Sequence, residues 1–142
     1  NVKFGRENGT LIIYRPFFYH SKIINSQLQN CHAEITIIES TISETVFDEI
    51  DFYDYHLRKN TFEKVIFKNC DFSSKRCYIE DNNFIETVFD EILIESEEWY
   101  KDFISNNTFD EWSLERMEFV SRNEIDHTEK SVVNYYIVEK KQ

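Results

Sequence analysis

"TVFDEI" stands at residues 45–50 and again at 87–92. Six identical residues in a row are not expected twice by chance in a chain of 142, so the hexapeptide marks an internal repeat. The two copies lie 42 residues apart, two twenties and two. From Ile42, steps of five land on Phe47, Phe52, Leu57, Phe62, Phe67, Phe72 and Cys77, all apolar. After a shift of two residues the series resumes at Phe84 and passes through Phe89, Ile94, Trp99, Ile104, Phe109, Leu114 and Phe119. Backwards, with one residue lost near Ile38, it continues through Ala33, Leu28, Ile23, Phe18 and Ile13. A period of five is neither the ~3.6 of a helix nor the ~2 of a strand. It keeps one face inside only if each five-residue unit also turns a corner. The residue two before a centre is often small or apolar as well: Ser40, Thr45, Ile50, Val65, Cys70, Thr87 and Ile92.

The composition fits an interior filled by rings, with 13 Phe, 8 Tyr and 2 Trp. Only two glycines and one proline are present, fewer than a hairpin-built sandwich or barrel uses for its turns. Gly5 and Gly9 cannot build a dinucleotide or P-loop phosphate cradle. The length favours one domain. Cys31, Cys70 and Cys77 are odd in number and lack CxxC spacing, which reads as buried thiols in a reducing cytoplasm. No stretch reads as a signal peptide, and no apolar run is long enough to span a bilayer.

"CDFSS" at 70–74, "VIFKN" at 65–69, "NTFEK" at 60–64, "TVFDE" at 45–49 and "STISE" at 40–44 have a common form: a small or apolar residue, a central Phe or Ile, then two polar residues. In this the chain resembles the pentapeptide-repeat family over residues 11–96, with the five-step continuing to 119. The resemblance implies an all-β fold, a right-handed quadrilateral β-helix with four pentapeptides to a coil. Phe47 is then expected beneath Phe67, with Phe89 above both. Departures from the family pattern are the lack of Gly after the centres, the bulky or charged residues Tyr55, Lys75, Glu97 and Trp112 where small ones are usual, and Asp or Asn before only some of the centres. Residues 1–10 form a lead-in, 11–96 the solenoid, and 97–142 its last coils or a helical cap plus a C-terminal strand. "SEEWYKDFIS" and "TFDEWSLERMEFV" also read as amphipathic helices, and Thr108 with Glu111 makes a capping-box pattern. "SVVNYYIVEK" at 131–140 reads as a strand that can pair on an exposed edge, including that of a second copy in a homodimer.

Catalytic and metal-binding patterns are not found. His20, His32, His56 and His127 are not spaced to share a metal, and no HExxH, GxSxG or Cys/His cluster occurs. Cys77 falls at a core position and Cys70 at a small inward one, which suits packing rather than nucleophilic attack. The expectation is a protein that is not an enzyme and uses no cofactor or metal. The charge is more informative. The net charge is −11, which repels nucleic acid and anionic membranes and attracts basic partners. On the five-step, one face carries Asp48-Glu49, Lys68-Asn69, Asp90-Glu91 and, if the coil persists, Asp110-Glu111. The neighbouring face carries Asp51, Asp54, Asp71, Glu95 and Glu115, and a third carries His56, Arg58, Lys59, Arg76 and Lys101.

Two readings of this acid stripe stay open. One is solvation of the solenoid edges. The other is mimicry of a nucleic acid, since duplex DNA carries one charge per ~1.7 Å of axis. The resemblance adds that some pentapeptide-repeat proteins are acidic DNA mimics that bind type II topoisomerases such as DNA gyrase, while phages use acidic mimics against restriction and CRISPR effectors. The expected activity is therefore binding to a basic nucleic-acid-binding protein in a bacterial or phage-infected host cytoplasm. The carrying residues are Asp48, Glu49, Asp51, Asp54, Asp71, Asp90, Glu91, Glu95, Asp110 and Glu111. The competing expectation is a scaffolding module that binds protein through Trp99, Tyr100, Trp112, Tyr135 and Tyr136.

Overall fold

The five-residue period folds into a parallel β-solenoid of about four turns. The computed structural model describes residues 3–5, 11–74, 76–121, 125–126, 131–132 and 135–137, with side chains over 15–74 and 77–121. The elements are β1 (Lys3–Gly5), β2 (Leu11–Tyr19), β3 (Lys22–Ile24), β4 (Gln27–Ile38), β5 (Thr41–Ser43), β6 (Val46–Arg58), β7 (Thr61–Glu63), β8 (Ile66–Lys68), β9 (Arg76–Glu80), β10 (Asn83–Ile85), β11 (Val88–Ile94), α1 (Glu97–Asn106), β12 (Thr108–Phe109), α2 (Glu111–Leu114), β13 (Met117–Ser121), β14 (Ile125–Asp126), β15 (Ser131–Val132) and β16 (Tyr135–Ile137).

Parallel pairing between successive coils sorts the centres onto four faces. The first carries Leu28, Phe47, Phe67, Phe89 and Met117. The second carries Ala33, Phe52, Phe72 and Ile94. The third carries Phe18, Ile37, Leu57 and Ile79. The fourth carries Ile23, Ile42, Phe62, Phe84 and Phe109, in a sheet of its own. Phe47 lies beneath Phe67 with ring centroids 4.9 Å apart, and Phe89 lies above at 5.1 Å. The separation follows the ~4.8 Å spacing of hydrogen-bonded strands. Around a corner the rings meet edge to face instead, as Phe67 does Phe72 at 64° and Phe84 does Phe89 at 71°.

The corners explain why glycine is not needed. Two residues after a centre the backbone turns left-handed, at Arg15, His20, Asn25, Asn30, Glu39, Glu44, Glu49, Lys59, Lys64, Asn69, Asp81, Glu86 and Glu91, with φ between 45° and 58°. This conformation costs a non-glycine residue roughly 1 kcal/mol. In return the corner N–H stays in the ladder. Glu44 donates to Glu63 O at 3.0 Å, Lys64 to Ile85 O at 2.9 Å and Asn69 to Asp90 O at 2.9 Å.

The positions two before each centre are buried as expected, and on the fourth face they form a polar ladder. The backbone N–H of Ser21 donates to Ser40 Oγ (3.0 Å), that of Ser40 to Asn60 Oδ1 (2.9 Å), that of Asn60 to Asn82 Oδ1 (3.0 Å) and that of Asn82 to Asn107 Oδ1 (3.0 Å). Each Asn amide also donates to a third-face carbonyl: Asn60 to Ile37 O, Asn82 to Leu57 O and Asn107 to Ile79 O. These bonds satisfy corner groups that water cannot reach. The bulky Tyr55 is accommodated inside, fully buried, with its hydroxyl donating to Phe72 O at 3.2 Å. Burial, then the neighbouring Cys77, pushes its phenol well above the usual range.

Pairing between coils corrects the phase in three places. The residue lost near Ile38 falls between Ala33 and Ile37, because Glu34 pairs with Asp54 while Ala33 pairs with Phe52. The two added residues fall between Phe72 and Ile79, before β9 rather than after it. Ile79 pairs with Leu57, and Cys77 pairs with Tyr55, two positions short of the centre. Beyond Ile94 a helix takes over the third face. Trp99 and Ile104 are therefore helical, not strand centres, and Leu114 ends α2. The helix starts where Ser96 Oγ accepts from the Trp99 N–H, with Glu97 and Glu98 in its positive first turn. It buries Phe103 against Phe84 and Phe89. The second cap is Asp110; Thr108 stays extended in β12, paired with Asn83, so the Thr108–Glu111 capping box does not form. At the C-terminal end β16 pairs antiparallel with β13 of the same chain, Tyr136 opposite Phe119.

Candidate functional site

The corner between the first and second faces gathers most of the predicted acids. The residue after each first-face centre points outward, giving the column Gln29, Asp48, Lys68 and Asp90. Glu118, after Met117, extends it. The next residues are the left-handed corners Asn30, Glu49, Asn69 and Glu91. Across the corner, His32, Asp51, Asp71 and Leu93 form the outward column of the second face. Asp48, Glu49, Asp51, Asp71, Asp90 and Glu91 therefore share one edge, with Lys68 set between Asp48 and Asp90.

This edge is only lightly neutralised. His32 Nδ1 lies 2.8 Å from Asp51 Oδ2, and Asp71 Oδ1 accepts from the Ser73 N–H at 2.8 Å. Among the described residues Lys68 makes no ion pair within 4.0 Å, and Asp48 Oδ1 is buried without a hydrogen-bond partner. At the C-terminal end three carboxylates crowd together. Burial raises the Glu118 carboxyl above the usual range, and its hydrogen bond with Asp90 and the charges of Asp90 and Glu91 push it further. The third face is balanced instead. Arg15 pairs with Glu34 at 3.3 Å and His20 with Glu39 at 3.1 Å. Arg58 Nε approaches Glu80 Oε1 at 2.9 Å, an ion pair by distance that lacks the angle of a hydrogen bond.

Four predicted acids sit elsewhere. Asp54 is at the corner between the second and third faces, on the rung of Glu34 and Arg76, with His56 Nε2 at 3.8 Å. Glu95 follows the second-face centre Ile94, just before the helix cap. Asp110 and Glu111 do not extend the first-face column. The ten residues of α1 use twice the length of one coil face, so Phe109 lands on the fourth face and carries Asp110 with it. Asp110 is a structural cap: Oδ1 accepts from the Ser113 N–H and Oδ2 from the Glu86 N–H, both at 2.9 Å. Burial alone would raise its carboxyl, but those hydrogen bonds outweigh it and hold the group below the usual range. Glu118 takes the place expected for Asp110. Its signal in the sequence is "MEF" at 117–119, an apolar-acid-apolar triplet in the manner of "FDE", hidden by the helix that shifts the count.

The aromatic alternative divides as well. Trp99 and Tyr100 are half-buried, Trp99 against Phe103 (5.3 Å) and Tyr100 against Phe119 (5.6 Å). Trp112 stays 40% exposed, with the Arg116 guanidinium 3.8 Å over its ring. Tyr135 and Tyr136 lie in β16, and their side chains fall outside the described residues. The thiols suit packing. Burial pushes Cys70 up to about 12 and Cys77 up to about 11, and raises Cys31. Among the described residues no cluster of His, Cys, Asp and Glu suits a metal ion, and no helix is long and apolar enough to cross a membrane. Compared with known proteins, the chain matches no family model, no curated protein and no solved structure.

Proposed function

We propose that this chain is a non-catalytic, acidic solenoid of the pentapeptide-repeat type that occupies the nucleic-acid-binding cleft of a basic protein. The observation that carries the proposal is the edge itself. On the three coils of Phe47, Phe67 and Phe89, about 14 Å of axis, it holds the carboxylates of Asp48, Glu49, Asp51, Asp71, Asp90 and Glu91 against the single ammonium of Lys68. That is a net charge of about minus five, where duplex DNA presents about eight negative charges over the same length. The raised Glu118 carboxyl adds support, because such crowding opposes folding and solubility alone does not call for it. Four turns make a rod about 20 Å long, enough to replace roughly six base pairs. A type II topoisomerase such as gyrase, or a restriction or CRISPR effector if the chain is phage-encoded, offers a cleft of the right charge.

The test is capture from a bacterial lysate, beside a variant with Asp48, Glu49, Asp90 and Glu91 changed to Lys and shown by circular dichroism to stay folded. The proposal expects a nucleic-acid-binding protein that elutes with salt, is competed by duplex DNA and is missed by the variant. Equal capture by both baits overturns it. Scaffolding is then the reading left, supported by the exposed Trp112, Tyr53 and Tyr78.

A further inference from the structure

Helix α1 does not fill the place of the strand it replaces. Strand β9 pairs with β6 on one edge, and among the described residues no strand lies on the other. A strand there would sit ~4.8 Å away. A helix is ~10 Å across and cannot approach a single strand edge that closely along its whole length. The mismatch leaves a half-open cavity of about 200 Å³ between β9 and α1. Sites for drug-sized ligands run from ~300 to 1,000 Å³, so this one suits a single side chain or a small ion of that size, not a cofactor.

Its lining is divided. Ile79 and Cys77 come from the strand; Trp99, stacked on Phe103 at 18°, comes from the helix. The polar residues around it are Tyr78, Glu80, Asp102 and Asn106. Among the described residues the Asp102 carboxylate and the Asn106 amide have no side-chain partner, and Glu80 Oε2 has none either, because Arg58 engages Oε1. Among the described side chains, the cations nearby are already committed: Arg58 to Glu80, and Lys101 to Glu97 at 3.6 Å. The cavity thus combines an indole, Trp99, with acceptors that lack donors among the described residues, in a protein whose net charge disfavours anions.

We infer that this cavity receives one guanidinium-bearing side chain from a protein partner, stacked on Trp99 and hydrogen-bonded to Asp102 and Glu80. A guanidinium fits better than an ammonium because its flat face stacks while its edge donates in the plane. The site lies on the third face, away from the acid edge, and does not rest on nucleic-acid mimicry.

The test is titration of isotope-labelled protein with n-butylguanidinium, and separately with n-butanol, followed by NMR. Saturable shifts are expected at the Cys77 and Ile79 amides and the Trp99 indole, with a Kd on the order of 1 mM, and about tenfold weaker binding of the alcohol. Asp102→Asn, at an exposed position, should weaken guanidinium binding several-fold and leave the melting temperature unchanged. Equal binding of the alcohol, unchanged affinity in Asp102→Asn, or shifts that fail to saturate or follow the acid edge instead would each overturn the inference. Capture by the acid edge succeeds or fails independently of all of these.

Discussion

Asn82 is the most exacting test of how the coils are joined. Its Oδ1 accepts from the Asn60 N–H at 3.0 Å, and its Nδ2 donates to Leu57 O at 2.7 Å and Asn107 Oδ1 at 3.0 Å. All four residues are buried. Asn82→Ala strands the Asn60 N–H and the Leu57 carbonyl where water does not reach, while Asn107 Oδ1 keeps the backbone N–H of Asn82. An unpaired buried polar group costs about 1–3 kcal/mol, so a loss of about 2–4 kcal/mol is expected for the two. With a urea slope of about 2 kcal/mol per molar, the midpoint should fall by about 1–2 M at unchanged slope. The lower end of the same ladder supplies the control. There Ser40 Oγ accepts from the Ser21 N–H and donates to Ile38 O at 2.9 Å. Asn82→Ser should accordingly rescue the Asn60 N–H and recover about 1–2 kcal/mol over alanine. A loss below about 1 kcal/mol for alanine, or a serine variant no better than alanine, would refute the claim that this ladder holds the coils in register.

Three further outcomes follow from the ionisable groups. The Glu118 carboxyl is raised in the fold, so between its unfolded and folded values the native state holds the extra proton and stability falls as pH rises. Glu118→Gln should therefore raise the urea midpoint at pH 7 and leave it nearly unchanged at pH 3. Asp110 has the opposite sign: its depressed carboxyl contributes stability above the unfolded value and loses it on acidification. Asp110→Ala should lower stability at pH 7 by about 1–2 kcal/mol, the range for a helix cap, and by much less at pH 2. Cys70, at about 12, should resist a thiol reagent at pH 8 until urea unfolds the chain; labelling at the rate of a free thiol would contradict its placement.

What the sequence by itself determined is the repeat. Steps of five place Phe47, Phe67 and Phe89 on one face because a coil is locally encoded, each pentapeptide carrying its own inward residue and its own corner. The same steps bring Asp48, Glu49, Asp90 and Glu91 to one edge. What only the tertiary structure decided is where the count slips. Cys77 and Ile79 are both apolar, and either satisfies the local pattern as a centre. Pairing with Leu57 in the coil below selects Ile79. Likewise "SEEWYKDFIS" satisfies both a five-step and a helix, and the choice falls to packing: the helix buries Phe103 among Phe84, Phe89 and Phe119 at the open end of the rod. That choice moves Asp110 to a cap and brings Glu118 to the acid edge. A short-range pattern fixes the face of a residue only while every coil has the same length, and contacts between coils, twenty or more residues apart, set that length.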